Sequence, residues 1–267
     1  MKSNYLPTDY QTFIATSRYA RWLEKEGRRE TWSETVERYI DNIVKPILPE
    51  YSGKEVEEGI VLHSLDGALT GLENQSEVDS IRHHILSLQV MPSMRSMMTA
   101  GKASMRDNTC MYNCSYLPVD DPKSFDEAMF VLLCGTGVGF SVERQFISKL
   151  PDVPTLFDSE TTVVIKDSKE GWAKGLRQVL ALLWAGEIPK WDVSRVRPAG
   201  ARLKTFGGRA SGPAPLIDLF NFAVTTFKVA SNRKLSSIEC HDLMCKIGEV
   251  VVVGGVRRSA MISLSNL

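Results

Sequence analysis

The sequence predicts an α/β chain, with a helical amino-terminal region over residues 1–90 and strands alternating with helices over 91–267. Three observations predict it. Apolar residues recur at helical spacing early on, as in Val36, Tyr39, Ile40, Ile43 and Val44. From Met91 to Arg144 the chain reads as strand, helix, glycine turn, strand. Beyond it, three apolar-periodic helices, Glu170–Gly186, Leu216–Val229 and Ile238–Val250, are separated by short β-prone runs.

Composition sets the outer limits. At 267 residues, 43% hydrophobic and 24% charged, the chain suits one large or two small domains with a real core. Its 32 basic and 32 acidic residues give a formal net charge of zero, so no overall field draws it to nucleic acid or membrane, and neither is an expected partner. No apolar run reaches the roughly eighteen residues of a membrane helix. The start, MKSNYLPTDYQTF, lacks the apolar core of a signal peptide. Five cysteines, an odd number without such a signal, predict free thiols in a reducing, cytoplasmic setting.

In order, residues to about Lys45 read as helical, with Thr31 or Ser33 as a cap and Pro46 and Pro49 as stops. Arg21, Arg28 and Arg29 read as a solvated face. Glu55–Leu88 is helix-rich with a break at Asn74–Gln75. His83 and His84 are adjacent, point apart on a helix, and make poor joint metal ligands. Met91, Met94, Met97 and Met98 read as buried packing rather than a soft-metal site.

Asn113–Val119 is a β-prone run carrying Cys114, broken by Asp120, Asp121 and Pro122. Ser124 with Glu127 has capping-box spacing, and Phe125–Cys134 is apolar enough for a buried helix. Gly135, Gly137 and Gly139 alternate with Thr136 and Val138 before a strand from Phe140 to Glu143. A dinucleotide fingerprint is G-x-G-x-x-G after a strand and before a helix. Here the order is reversed and one residue is missing, which disfavours a NAD or flavin site. What remains is a strand-borne thiol beside a turn whose backbone a ligand can approach closely.

Cys110 and Cys114 are spaced C-x3-C, and Cys240 and Cys245 C-x4-C. These spacings fit neither a zinc ribbon nor a finger, so no metal site is assigned. Cys134, Cys240 and Cys245 sit in apolar helical runs and read as core. Gln145–Lys169 reads as a loop with a short TTVVI strand, and Trp191–Val196 as a strand. Arg195, Arg197, Arg202, Lys204 and Arg209 then crowd into fifteen residues without an acid, beside Phe206, Gly207 and Gly208 and ahead of a helix near Pro215. Arginine forks with glycine amides at a helix start suit phosphate, although a solvated basic loop has the same composition.

NCSYLPV, GTGVGFSVE, RVRPAGARLKTFGGRASGPAPL and VVVGGVRRSAMISL, with the earlier YARWLEKEGRRETWSETVERYI, resemble in order the amino-terminal half of adenosylcobalamin-dependent (class II) ribonucleotide reductase. The resemblance spans Tyr19 to Leu264. It implies the first part of a ten-stranded α/β barrel, incomplete in this chain. It also implies reduction of ribonucleotides, of which triphosphates are favoured, at the ribose 2′ position for DNA synthesis. In the family, homolysis of the cobalt–carbon bond makes a thiyl radical that takes the 3′-hydrogen. Two further thiols then reduce the substrate and are reset by a thioredoxin-like dithiol protein.

By this resemblance Cys114 is one reducing thiol, and Asn113, Gly135, Thr136, Gly137 and Gly139 line the ribose, the glycine turn with its backbone amides. Arg95 and Ser96 lie toward the substrate phosphates. A deoxynucleoside triphosphate effector would meet Asp121, a first loop with Arg202, Phe206, Gly207, Gly208 and Arg209, and a second with Gly254, Gly255, Arg257 and Arg258. Gly255 stands where the family pattern has Asn, and Cys110 has no counterpart in it. The thiyl-radical cysteine and the second reducing cysteine match no position here. The resemblance therefore implies a separate carboxy-terminal half, from a split, spliced or truncated gene. The segment that carries a long insertion in a monomeric member is short here, which implies a homodimer. Two alternatives stay open: a non-catalytic nucleotide-binding or regulatory fragment, and a class I, metal-dependent diphosphate reductase fragment.

Overall fold

The computed structural model describes residues 6–48, 71–202, 209–253 and 260–266. The chain divides into two compact units, Met1–Tyr112 and Asn113–Leu267. The division falls later than the boundary expected between residues 90 and 91, because the segment after Met91 continues as short helices of the first unit.

In the first unit, α1 (Asp9–Ile14) runs into a π-helical turn, Ala15–Tyr19. The reading of continuous helix to Lys45 then fails. Two short strands, β1 (Trp22–Leu23) and β2 (Arg28–Arg29), pair antiparallel around Gly27, whose φ of 63° closes the turn. The arginines expected on a solvated face are engaged instead: Arg28 makes a two-pronged pair with Glu34, and Arg29 donates to the Ala20 carbonyl. Helix α2 (Trp32–Tyr39) starts at Thr31 with a capping box to Glu34, continues through a π turn, Ile40–Val44, and ends with Lys45–Ile47. Helix α3 (Gly71–Leu86) passes through Asn74–Gln75 without the expected break. Next come α4 (Met94–Thr99), α5 (Lys102–Arg106) and a 3-10 turn, Asn108–Met111. The core joins Trp32, Val36, Ile40, Val44, Val78, Ile85 and Met97. Of the four methionines expected to be buried only Met97 is; Met91, Met94 and Met98 are exposed.

The second unit opens with β3 (Cys114–Pro118), α6 (Lys123–Leu133) and β4 (Gly137–Ser141). The Ser124–Glu127 capping box does not form. The Asp121 carboxylate accepts from the Lys123 amide at 2.8 Å, and the Ser124 hydroxyl turns back to the Pro118 carbonyl at 3.0 Å. A short helix, α7 (Arg144–Ile147), then β5 (Phe157–Val164) and α8 (Lys169–Trp184) follow, so the segment read as loop is partly folded. β6 is Glu187–Asp192, ahead of the strand expected at Trp191–Val196. Helices α9 (Ala214–Val229) and α10 (Ser237–Val253) are joined through Asn232, whose φ of 64° turns the chain, and β7 is Met261–Ser263.

β3, β4 and β7 form one parallel sheet in that order, and β5 and β6 form a second parallel pair. Helix α6 packs against α8 and α10, and the rings of Phe125, Trp184 and Phe227 meet in succession between α6, α8 and α9, the last two edge to face. Phe140, Leu176, Phe220 and Ile247 lie in the same core. Cys240 joins it but Cys245, expected there, is exposed. The molecule is mixed α/β. No helix among the described residues is long and apolar enough to cross a membrane.

Candidate active site around Cys114

The thiol and glycines singled out in the sequence come together in the second unit where β3 meets β4. Cys114, the first residue of β3, is exposed and stands in register with Gly137 of β4. The pairing is held on both sides of the thiol. The Gly137 amide donates to the Asn113 carbonyl at 2.9 Å, and the Ser115 hydroxyl donates to the Gly137 carbonyl at 3.0 Å.

Side chains on a strand alternate between faces, so register divides this sheet in two. Leu117, Val138, Phe140 and Met261 turn toward the helices. Cys114, Tyr116, Gly137, Gly139 and Ile262 share the opposite face, where Tyr116 is 53% and Ile262 59% exposed. The two glycines add no side chain to this face, and Gly139 is itself buried. A Cβ at Gly137 would lie 3.3 Å from the Ala260 carbonyl oxygen, and one at Gly139 would lie 3.2 Å from the Leu264 side chain. The sequence reading found the thiol and the glycines. It missed Ser115 and the open face with Tyr116 and Ile262, although the alternation in CSYLP carried that signal.

The expectation that the amides of 135–139 line a ligand does not hold along the turn. The Gly135 amide donates to Leu132, Thr136 to Val131, Gly137 to Asn113 and Val138 to Ala260, all within the chain. Gly135, with φ of 81°, lets α6 end and the chain turn into β4. What the turn offers beside Cys114 is bare backbone carbon rather than free donors. Behind it, the Lys169 ammonium lies 3.0 Å from the buried Cys134 sulfur and 4.8 Å from the centre of the Phe130 ring. Thr136 is fully buried.

Burial pushes the Cys240 thiol up to about 12, and burial with the nearby Asp242 also raises Cys245. Asp126, in the first turns of α6, is buried. Burial raises its carboxyl above the usual range, opposed by Arg177, whose guanidinium meets Oδ2 at 2.7 Å. Its Oδ1 has no partner.

Asp121 is exposed at the start of α6. Arg202 and Arg209 pair in an isolated antiparallel bridge, beside which the Gly200 amide donates to the Ala210 carbonyl, the Ala210 amide to the Ala201 carbonyl, and Arg209 to the Gly200 carbonyl. Phe206, Gly207 and Gly208 lie outside the described residues, as do Gly254, Gly255, Arg257 and Arg258. One member of the basic cluster is neutralised from a distant segment: Arg197 pairs with Asp167 at 2.8 Å. Arg95, half-buried, and Ser96, buried, lie on α4 in the first unit, so the structure groups them with that unit rather than with Cys114. Cys110 is also in the first unit, its thiol donating to the Asp107 carbonyl. No cluster of three metal-binding side chains occurs among the described residues.

Comparison with known proteins gives one consistent answer. A family model described as the insertion domain of B12-dependent ribonucleotide reductase matches residues 155–226. The adenosylcobalamin-dependent ribonucleoside-triphosphate reductase of Lactobacillus delbrueckii subsp. bulgaricus is 26% identical over 93% of this chain and 40% of its own length. The enzyme of the same name from Lacticaseibacillus paracasei is 29% identical over the same shares. A crystal structure of a B12-dependent (class II) ribonucleotide reductase superposes with a TM-score of 0.73 at 24% identity, over 94% of this chain and 41% of that one. The chain thus spans about two fifths of the length of the relatives it matches. The alignment to the L. delbrueckii enzyme runs over 308 positions against a chain of 267 residues, so that relative carries extra residues within the matched region.

Proposed function

We propose that this chain, a relative of the adenosylcobalamin-dependent (class II) ribonucleotide reductases, is the amino-terminal part of a ribonucleoside-triphosphate reductase and works with further reductase polypeptide. The observation that carries the reading is Cys114, exposed at a strand start and in register with Gly137. The order of β3, β4 and β7, all parallel with helices on one face, supports their being the first strands of a ten-stranded α/β barrel.

In this reading the face over Cys114 and Gly137 receives the ribose, Asn113 borders it, and Gly139 and Thr136, both buried, support it from within the sheet and turn. The residues fit such a role because nothing bulkier than hydrogen stands beside the thiol at Gly137. Adenosylcobalamin, when bound, supplies the initiating radical. The described residues would provide the face over Cys114 and Gly137, and the remaining polypeptide would supply the shielding from water. Cys114 then acts as one of two reducing thiols. Two S–H groups give up two electrons and close to a disulfide, the ribose 2′-hydroxyl leaves as water, and hydrogen takes its place. A thioredoxin-like dithiol in the cytoplasm resets the pair.

Arg95 and Ser96 would meet the substrate phosphates. Asp121 and the loops bearing Arg202 to Arg209 and Gly254 to Arg258 would hold a deoxynucleoside triphosphate effector. The backbone bridge that brings Arg202 and Arg209 together supports the first loop. The shortness of residues 145–169 supports a homodimer.

The test is Cys114→Ser in the chain assembled with the rest of its reductase. Loss of nucleoside-triphosphate reduction with effector binding retained is the expected result. Undiminished reduction would sink the assignment and leave a nucleotide-binding regulatory fragment.

A further inference from the structure

The first unit buries an ion pair whose guanidinium also reaches carbonyls from two other segments. The Arg38 side chain is 11% exposed and Glu30 is 6% exposed. Arg38 Nε donates to the Glu30 carboxylate at 2.9 Å, and its Nη2 donates both to Glu30 and to the Tyr19 carbonyl at the end of the first π turn. Its Nη1 donates to the carbonyls of Met97 and Ala100, at 2.7 and 3.1 Å. Arg21 reaches the carbonyl between them, Met98, at 3.3 Å. Glu30 ties the group together by also accepting from the Arg21 amide and the Thr35 hydroxyl. At Gly101 φ is 111°, and a Cβ there would meet Arg21 Nη1 at 3.1 Å, so the turn between α4 and α5 closes directly on this guanidinium.

A buried ion pair is poor evidence of stabilisation, since well-packed apolar side chains of the same volume often do as well or better. What apolar packing cannot do is fix several carbonyl oxygens at once. A planar guanidinium fork can. The carbonyls held here are those at the end of α4, a six-residue helix too short to hold its own place. That helix carries Arg95 and Ser96.

We propose that Arg38 and Arg21, bridged by Glu30, are positioning residues that set Arg95 and Ser96 for the substrate's phosphate groups. This rests on the reading above that those two residues meet the phosphates.

Two measurements test it. In the assembled reductase, Arg21→Ala and Arg38→Lys should each raise the KM for the nucleoside triphosphate by roughly tenfold, the scale expected when a positioned group shifts by a fraction of an ångström. The value of kcat should change far less. Lysine should not rescue Arg38, because it offers a point charge rather than a fork. Ser96→Ala should raise KM as well. In this chain alone, Arg21→Ala and Arg38→Lys should speed amide exchange at 97–106 and leave 78–85 unchanged. If Ser96→Ala raises KM while the arginine variants change neither KM nor exchange, the positioning role is overturned and the phosphate reading survives. If Ser96→Ala and Arg95→Ala both leave KM unchanged, the phosphate reading itself falls, and this proposal with it. Arg38→Met is the stronger lesion; should it fail to fold, the two milder variants decide.

Discussion

Cys114 and Gly137 stand opposite one another across a parallel ladder, and the glycine sets no side chain beside the cysteine, where a Cβ would already meet the Ala260 carbonyl at 3.3 Å. The exposed thiol therefore has no cross-strand side chain against it. The backbone is held on both flanks, so the thiol's position does not depend on a mobile loop.

Gly137→Val is therefore expected to damage the site and the sheet together. Its Cβ would lie 3.3 Å from the Ala260 carbonyl and 3.6 Å from the Asn113 carbonyl. Overpacking of this kind costs about 1–3 kcal/mol. Urea melts should show that loss, and the assembled enzyme should lose reduction beyond what the stability change explains.

Thiol labelling of the native chain should follow exposure and burial. Cys114 should react with iodoacetamide first. Cys245, exposed but with its thiol raised by burial and Asp242, should follow. Cys134 and Cys240 are buried, and with its thiol pushed up to about 12 Cys240 should react only on unfolding. Peptide mapping by mass over time gives the order; a fast Cys240 would contradict the packing of α10.

Arg177→Met should destabilise the second unit in a pH-dependent way. The substitution leaves a buried carboxylate at Asp126 without its cation, a loss of about 2–4 kcal/mol at neutral pH given that Arg177 is half exposed. Burial already raises the Asp126 carboxyl, so its ionised form is the costly one. As pH falls the group takes up a proton and the penalty shrinks. Melts of the variant and parent should therefore converge toward about pH 4.

Glu239 works in the opposite sense. Arg233 at 2.6 Å, with the Ser236 amide and hydroxyl, holds its carboxyl down at about 2, against 4.5 ordinarily. A depressed carboxyl contributes stability that is fully present above its ordinary value and is lost as pH falls from there toward 2. Glu239→Gln should cost about 1 kcal/mol at neutral pH, discounted because Arg233 is largely exposed, and should flatten the acid limb between those values. Thermal melting from neutral to acid pH measures both.

Much of this was legible in the sequence. The helical spacing of Trp172, Leu176, Val179, Leu180 and Leu183 fixes α8 because an amphipathic face must be buried whatever it packs on. The run around Cys114, the helix after it and the glycines were equally local. The misreadings have a common cause. Ser124 had the right spacing for a capping box, but the Asp121 carboxylate took that end of α6 and the Ser124 hydroxyl found the Pro118 carbonyl. Arg21 and Arg28 looked solvated because their partners, Met98 and Glu34, are set by the fold.

By itself the sequence determined the α/β character, most helices and the strand carrying Cys114 with the glycine turn after it, since each follows from side-chain periodicity or from a residue's own backbone freedom. Only the tertiary structure decided that Cys114 faces Gly137, that the amides of the glycine turn are already occupied, and that Arg38 grips the end of α4. Those depend on which strand lies beside which and which carbonyl a donor reaches, and such pairings join residues far apart in the chain.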